Sequence, residues 1–176
     1  RDQARPRGPQ TPPISSRLLA ALQPSISDVA GPLHIERASP AGGGCIHRCF
    51  VLEGEGRRYF AKINERAQLD NFDAEADGLA ALAASGAQIP SPVCRGEADA
   101  EAFLVLEYLE MRGNGDYAAL GRTLALVHSS RGEFFGWRRD NYIGTTLQVN
   151  RRASSWADFW RDSRLRPQLD LVRKNG

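Results

Sequence analysis

One lysine constrains this chain more than any other residue. Of 23 basic side chains 21 are arginine, and of the two lysines Lys174 lies near the C-terminal end, which leaves Lys62 alone in the body. It sits in Arg57-Arg58-Tyr59-Phe60-Ala61-Lys62-Ile63-Asn64. Alternation predicts a strand with Phe60 and Lys62 on one face and Tyr59, Ala61 and Ile63 on the other. An ammonium is a compact point charge suited to phosphate, where guanidinium is a planar fork. Upstream, Gly42-Gly43-Gly44 offers backbone N–H groups that can approach an anion with no side chain in the way. Downstream, residues 69–85 switch to a 3.6-residue period. Phe72, Ala76, Leu79 and Leu82 form the stripe, Gly86 is the stop, and Asp70, Asp73 and Asp77 fall on the opposite side. Glu75 lies on or beside the stripe, where a carboxylate is costly unless a cation meets it. Lys62 is the expected partner.

The surrounding elements assemble into an α+β lobe. Residues 1–13, with four prolines and no large apolar side chain, read as a disordered arm. Ile14, Leu18, Leu19 and Leu22 predict a short helix behind Ser15 and Ser16, ended by Pro24. Strands are expected at Leu33 to Ala38 and Cys45 to Glu53, with Gly54-Glu55-Gly56 closing a hairpin onto the Lys62 strand. Ile89 to Arg95 reads as an edge strand, and Phe103 to Leu106 as a buried one running into Glu107-Tyr108-Leu109. Residues 14–110 thus form a five-stranded antiparallel sheet with one packed helix. Residues 111–176 begin a second, incomplete body. It holds an Asp116-capped helix with Leu120, Leu124 and Val127, an irregular stretch from Arg131 to Ala153, and a helical region opened by Ser155 and Asp158, with Trp156, Phe159 and Trp160 as its apolar face.

Several functions are excluded by composition. The net charge of +2 divides into +2 over residues 1–13, +4 over 151–176 and −4 between them. No basic stripe with interleaved aromatics appears in the body, so nucleic acid is not an expected partner. No apolar run approaches the ~18 residues of a membrane span, and three cysteines without paired spacing do not suit an oxidised secreted scaffold. A cytoplasmic protein is expected. Cys45, His47 and Cys49 alternate along a strand, but the cysteines would stand ~13 Å apart, too far for one tetrahedral ion or a disulfide, and no metal ligands are assigned. Cys45 follows the glycines, where converging N–H groups favour the thiolate. It is a candidate redox site, and its oxidation would join two chains as a homodimer or cap the thiol.

Glycine loop, lysine strand, acid-bearing helix and apolar hinge follow one another in the order of a protein-kinase small lobe. In detail the chain resembles the fructosamine-3-kinase (ketosamine-3-kinase) family of the protein-kinase-like superfamily. The resemblance rests on Gly42-Gly43-Gly44-Cys45-Ile46, Tyr59 to Asn64 and Phe72 to Leu79. It continues through Leu120-Gly121, Leu124-Ala125 and His128, then Phe135-Gly136-Trp137, Asp140-Asn141, Ile143-Gly144 and Gln148-Val149-Asn150, and ends with Trp156, Phe159, Arg164-Leu165 and Gln168 to Leu171. It implies ATP and Mg2+ as cofactors. The activity implied is phosphorylation of a ketoamine at its 3-hydroxyl, the ketoamine being a small molecule or a glycated protein, with protein deglycation as the outcome. Carried over by position, Gly42, Gly43 and Gly44 would cover the phosphates, Lys62 would hold them, Glu75 would orient Lys62, and Glu107, Tyr108 and Leu109 would seat adenine. Trp137, Asp140, Asn141 and Gln148 would belong to the substrate region. The family's histidine-glycine-aspartate catalytic loop is not in this sequence, and the single methionine is Met111. The chain is therefore expected to be an N-terminal part of the enzyme, trimmed at its front, with catalytic base and metal ligands elsewhere and no turnover of its own. Two alternatives stay open: a non-catalytic nucleotide-binding remnant, and a small-molecule kinase of aminoglycoside or choline type.

Overall fold

The computed structural model describes residues 12–42, 46–111 and 115–176. The expected arm lies outside them over residues 1–11. Two compact units emerge. The first runs to Leu69 and includes Val93–Tyr108; the second comprises Asp70–Pro92 and Leu109–Gly176.

The first unit is a five-stranded sheet covered by one helix. Helix α1 (Ser16–Ala30) starts where the Ser15 hydroxyl accepts the Leu18 N–H, and it buries Leu18, Leu22 and Ile26, one per turn. The helix does not end at Pro24, as expected, but continues for six more residues. A proline inside a helix costs about 3 kcal/mol. Against that, Ile26 is fully buried, and burying such a side chain contributes about 1.5–3 kcal/mol. The second half of the helix is also tied down. Gln23 Oε1 accepts the Ile35 N–H, the Ser27 hydroxyl accepts the Leu33 N–H, and Arg57 donates to the carbonyls of Ala30, Gly31 and Pro32 at the helix end.

Those same bonds displace the first strand. The N–H groups of Leu33 and Ile35 go to side chains of α1, so β1 forms later than expected, at Arg37–Pro40, and its proline sits on a sheet edge. Strands β2 (Arg48–Gly54) and β3 (Arg57–Glu65) are joined by Glu55 and Gly56, both at positive φ, the conformation a tight two-residue hairpin demands. Gly54 cannot be replaced freely, because a Cβ there would stand 1.9 Å from the His34 carbonyl oxygen. With β4 (Pro92–Ala98) and β5 (Glu101–Glu107) the sheet order is β1-β2-β3-β5-β4. Phe50 and Leu52 of β2, Tyr59, Ala61 and Ile63 of β3, and Phe103 and Val105 of β5 pack with α1 as a single core.

The second unit is mostly helical. Helix α2 (Leu69–Ala84) ends at Gly86, whose φ of 84° carries the chain out of the helix. Helix α3 (Tyr117–Ser129) is capped by Asp116, which accepts the N–H groups of Ala118 and Ala119. The stretch expected to be irregular contains a small hairpin, β6 (Asn141–Ile143) with β7 (Thr146–Gln148), and a bridge between Phe135 and Ala153. The chain ends in α4 (Trp156–Trp160), a π-helical turn (Arg161–Leu165) and α5 (Arg166–Asn175). Ser155 caps α4 as expected. Phe159 is buried, while Trp156 and Trp160 stack on each other in the open.

Candidate functional site

Lys62 occupies the middle of the sheet. It lies in register with Cys49 of β2 and Leu104 of β5, and two residues earlier Phe60 lies in register with Val51 and Leu106. Because Tyr59, Ala61 and Ile63 face α1, alternation turns Phe60 and Lys62 to the other side, as expected. An apolar platform of Val51, Phe60 and Leu106 therefore adjoins a single ammonium. Such a surface suits a flat aromatic base next to an anionic group. At the far end of β3, the Asn64 amide donates to the Ile46 carbonyl and to Nδ1 of His47, pinning the segment that follows the glycines. The ion pair of Arg48 with Glu101 braces β2 nearby. Gly42 is exposed, with open space where a Cβ would stand. Gly43, Gly44 and Cys45 lie outside the described residues.

Glu75 is half-buried in α2, between buried Ala74 and Ala76. Glu107 closes β5 opposite Tyr59, and the Arg58 guanidinium stacks 4.4 Å over the ring of Tyr108. The chain passes into the second unit between Tyr108 and Leu109.

The polar side of α2, opposite the apolar stripe, is only partly solvated. Asp77 is only 13% exposed and accepts from the Trp137 indole N–H at 2.5 Å and from Arg138. Asp70 accepts from Arg139 and, at 2.7 Å, from the Tyr142 hydroxyl; this bond first, and burial second, hold that phenol above its usual range. Asn71 donates to the Gly144 carbonyl. The acids of α2 are thus a docking edge for residues 137–144, and this edge groups α2 with the later segment.

Trp137, Asp140 and Asn141 lie in that segment, and Gln148 follows it in β7. Asn141 pairs with Gln148 across the hairpin, and Asp140 accepts the Asn150 N–H. Asn150, which is buried, is the hub: its amide donates to Arg139 O and Asn141 Oδ1 while its own Oδ1 accepts from Arg164. Arg164 lies in the π-helical turn, 4.6 Å over the Phe159 ring, and burial holds its pKa below the usual arginine value. The π-helical turn is the local irregularity that aims it inward. Neither Asp77 nor the bonding of Asn150 to Arg164 follows from local sequence. The one available signal was that Asn150 and Arg164 both stand among the residues that carry the family resemblance.

The fructosamine kinase family profile matches residues 19–176. This chain belongs to that family. It is 42% identical over 154 residues to a probable ketoamine kinase of Synechocystis sp., covering 85% of this chain and 52% of that one. It is 34% identical over 146 residues to the chloroplastic protein-ribulosamine 3-kinase of Arabidopsis thaliana, covering 79% and 44%. A crystal structure assigned to a fructosamine-3-kinase of Haemophilus somnus superposes with a TM-score of 0.81 at 27% identity, over 88% of this chain and 54% of that one. The protein-kinase-like α+β fold expected from the sequence is therefore the fold observed. The chain spans about half the length of the curated relatives it matches. Among the described residues, no helix is long and apolar enough to cross a membrane.

Proposed function

We propose that this chain is the ATP-grasping part of an ATP-dependent kinase that phosphorylates the 3-hydroxyl of ketoamines formed when sugars glycate amines. The observation that carries the reading is the placement of Lys62, the body's single lysine, at mid-sheet beside the apolar platform of Val51, Phe60 and Leu106. Here Lys62 holds the phosphates electrostatically. Gly42, Gly43 and Gly44 cover the phosphates with backbone N–H groups, and the extended backbone of Glu107 to Leu109 seats the adenine edge. ATP supplies the phosphoryl group, and Mg2+, when bound, neutralises charge developing on it. Trp137, Asp140, Asn141 and Gln148 shape the acceptor region. A 3-phosphorylated ketoamine is unstable and releases the free amine, so the biological outcome is deglycation. No histidine-glycine-aspartate run occurs in this sequence, and no catalytic base or metal ligand is assigned within it.

The full-length protein, incubated with Mg-ATP and either a fructosyl-amine or a ribulosyl-amine, should yield a new sugar phosphate monoester at carbon 3 by phosphorus NMR. Lys62→Met should weaken Mg-ATP binding about ten-fold or more, equivalent to ~1.4 kcal/mol, with an unchanged circular dichroism spectrum. Unchanged nucleotide affinity in the variant, or phosphate transfer to neither acceptor, would overturn the assignment.

A further inference from the structure

We propose that Arg58 is a positioning residue for the nucleotide base: stacked over Tyr108, it fixes the end of β5, whose backbone meets the adenine edge. The inference rests on the ATP reading above. All the residues it uses lie in the first unit.

The face of the sheet that carries Lys62 is ordered in rows. Cys49, Lys62 and Leu104 stand in register in one row, and Val51, Phe60 and Leu106 in the next. Two residues farther along, Glu53 of β2 stands opposite Arg58 of β3, and Arg37 of β1 pairs with Glu53 both in register and as an ion pair. Rows on one face repeat every ~6.6 Å, so Arg58 borders the apolar platform on the side away from Lys62 and lies ~13 Å from it along the strand. The platform thus has an ammonium beyond one end and a guanidinium beyond the other. They are not equivalent. Lys62 is a point charge, whereas Arg58 is a flat group laid against the Tyr108 ring, 4.4 Å from its centre. That contact falls where the backbone stops guiding the chain. Glu107, opposite Tyr59, is the last residue of β5 in register with β3. One residue on, the Arg58 stack ties Tyr108 to the start of β3 and so sets which way the Glu107 and Tyr108 peptide groups point. A base lying on Val51 and Phe60 is met at its edge by those peptide groups. Arg58 therefore acts on the base end of the nucleotide, through Tyr108, and leaves the phosphates to Lys62.

Calorimetric titration of the full-length protein with Mg-ATP and with Mg-tripolyphosphate tests this. A guanidinium over an exposed ring has a modest effect, so Arg58→Ala should weaken Mg-ATP binding about three-fold. Mg-tripolyphosphate has no base; its binding should be unchanged in Arg58→Ala and weakened in Lys62→Met. Tyr108→Leu keeps the Arg58 charge and removes the ring. It should reproduce the loss for Mg-ATP, and the double variant should bind no more weakly than either single one. Arg58→Lys keeps the charge without the planar fork and should recover only part of the affinity. An equal loss for Mg-tripolyphosphate would make Arg58 a phosphate charge and overturn the proposal. Additive losses in the double variant would overturn it too, because the two side chains would then act separately. Wild-type protein that binds no Mg-ATP would defeat the functional reading and this inference together; Mg-ATP binding that depends on Lys62 but not on Arg58 would defeat this inference alone.

Discussion

The two units are held together by different physics. Among the described residues, nine of the ten largest fully buried side chains belong to the first unit and one, Phe72, to the second. The first unit is an apolar sandwich of α1 on a sheet. In the second, the buried polar residues among those described include the hydrogen-bonded Asn71 and Asn150, and Trp156, Trp160, Leu165 and Leu169 stand roughly half exposed. Apolar burial is non-directional and tolerates small shifts, whereas buried polar bonds are directional and costly to leave unmade. The first unit is therefore built to persist as a platform. The second is built to hold particular side chains in particular places.

The sharpest way to break this contrast is to empty the first core. Phe50→Ala should cost about 3–5 kcal/mol, since the ring is buried at 1% exposure among α1 and three strands. Urea unfolding would check it; a loss below 1 kcal/mol would mean that this core does not dominate stability. A polar deletion in the second unit should cost less. Asn150→Ala leaves Arg164 and Asn141 without their shared partner and should cost about 1–3 kcal/mol, with the loss of exchange protection concentrated in residues 139–150 and none in β2 or β3. Uniform loss of protection across both units would dissolve the distinction.

The smallest effect belongs to an exposed ion pair on the first unit, Arg66 with Glu97. The hydrogen bond from Arg66 holds the Glu97 carboxyl below the usual glutamate range. A carboxylate depressed in the folded state contributes stability above its ordinary pKa, and that contribution fades as pH falls through the depressed value. On this exposed surface the contribution is small. A carboxyl carbon NMR titration should show the Glu97 midpoint below that of a model glutamate and moving up in Arg66→Ala. An unmoved midpoint would assign the shift to something other than Arg66.

What the sequence by itself determined was everything governed by short-range periodicity. The two-residue alternation of β3 set which face carries Lys62, the Gly54-Glu55-Gly56 turn set the hairpin, and Asp116, Ser155 and Gly86 marked helix ends where the structure has them. These features depend on neighbours a few residues away, so their physics is visible in a window. The kinase-like order of elements was legible for the same reason. Tertiary structure alone decided the rest. Helix α1 runs through Pro24 because Ile26 finds a core and because Gln23, Ser27 and Arg57 tie its second half down. Periodicity placed Asp77 only opposite the apolar stripe, yet it is enclosed because Trp137 and Arg138, about sixty residues on, supply donors that no local pattern announces. Asn150 becomes a hub only when Arg164 is turned inward by a π-helical turn. A helical period shows which side of α2 is polar; whether that side meets solvent or a partner depends on residues far along the chain, and only folding brings those together.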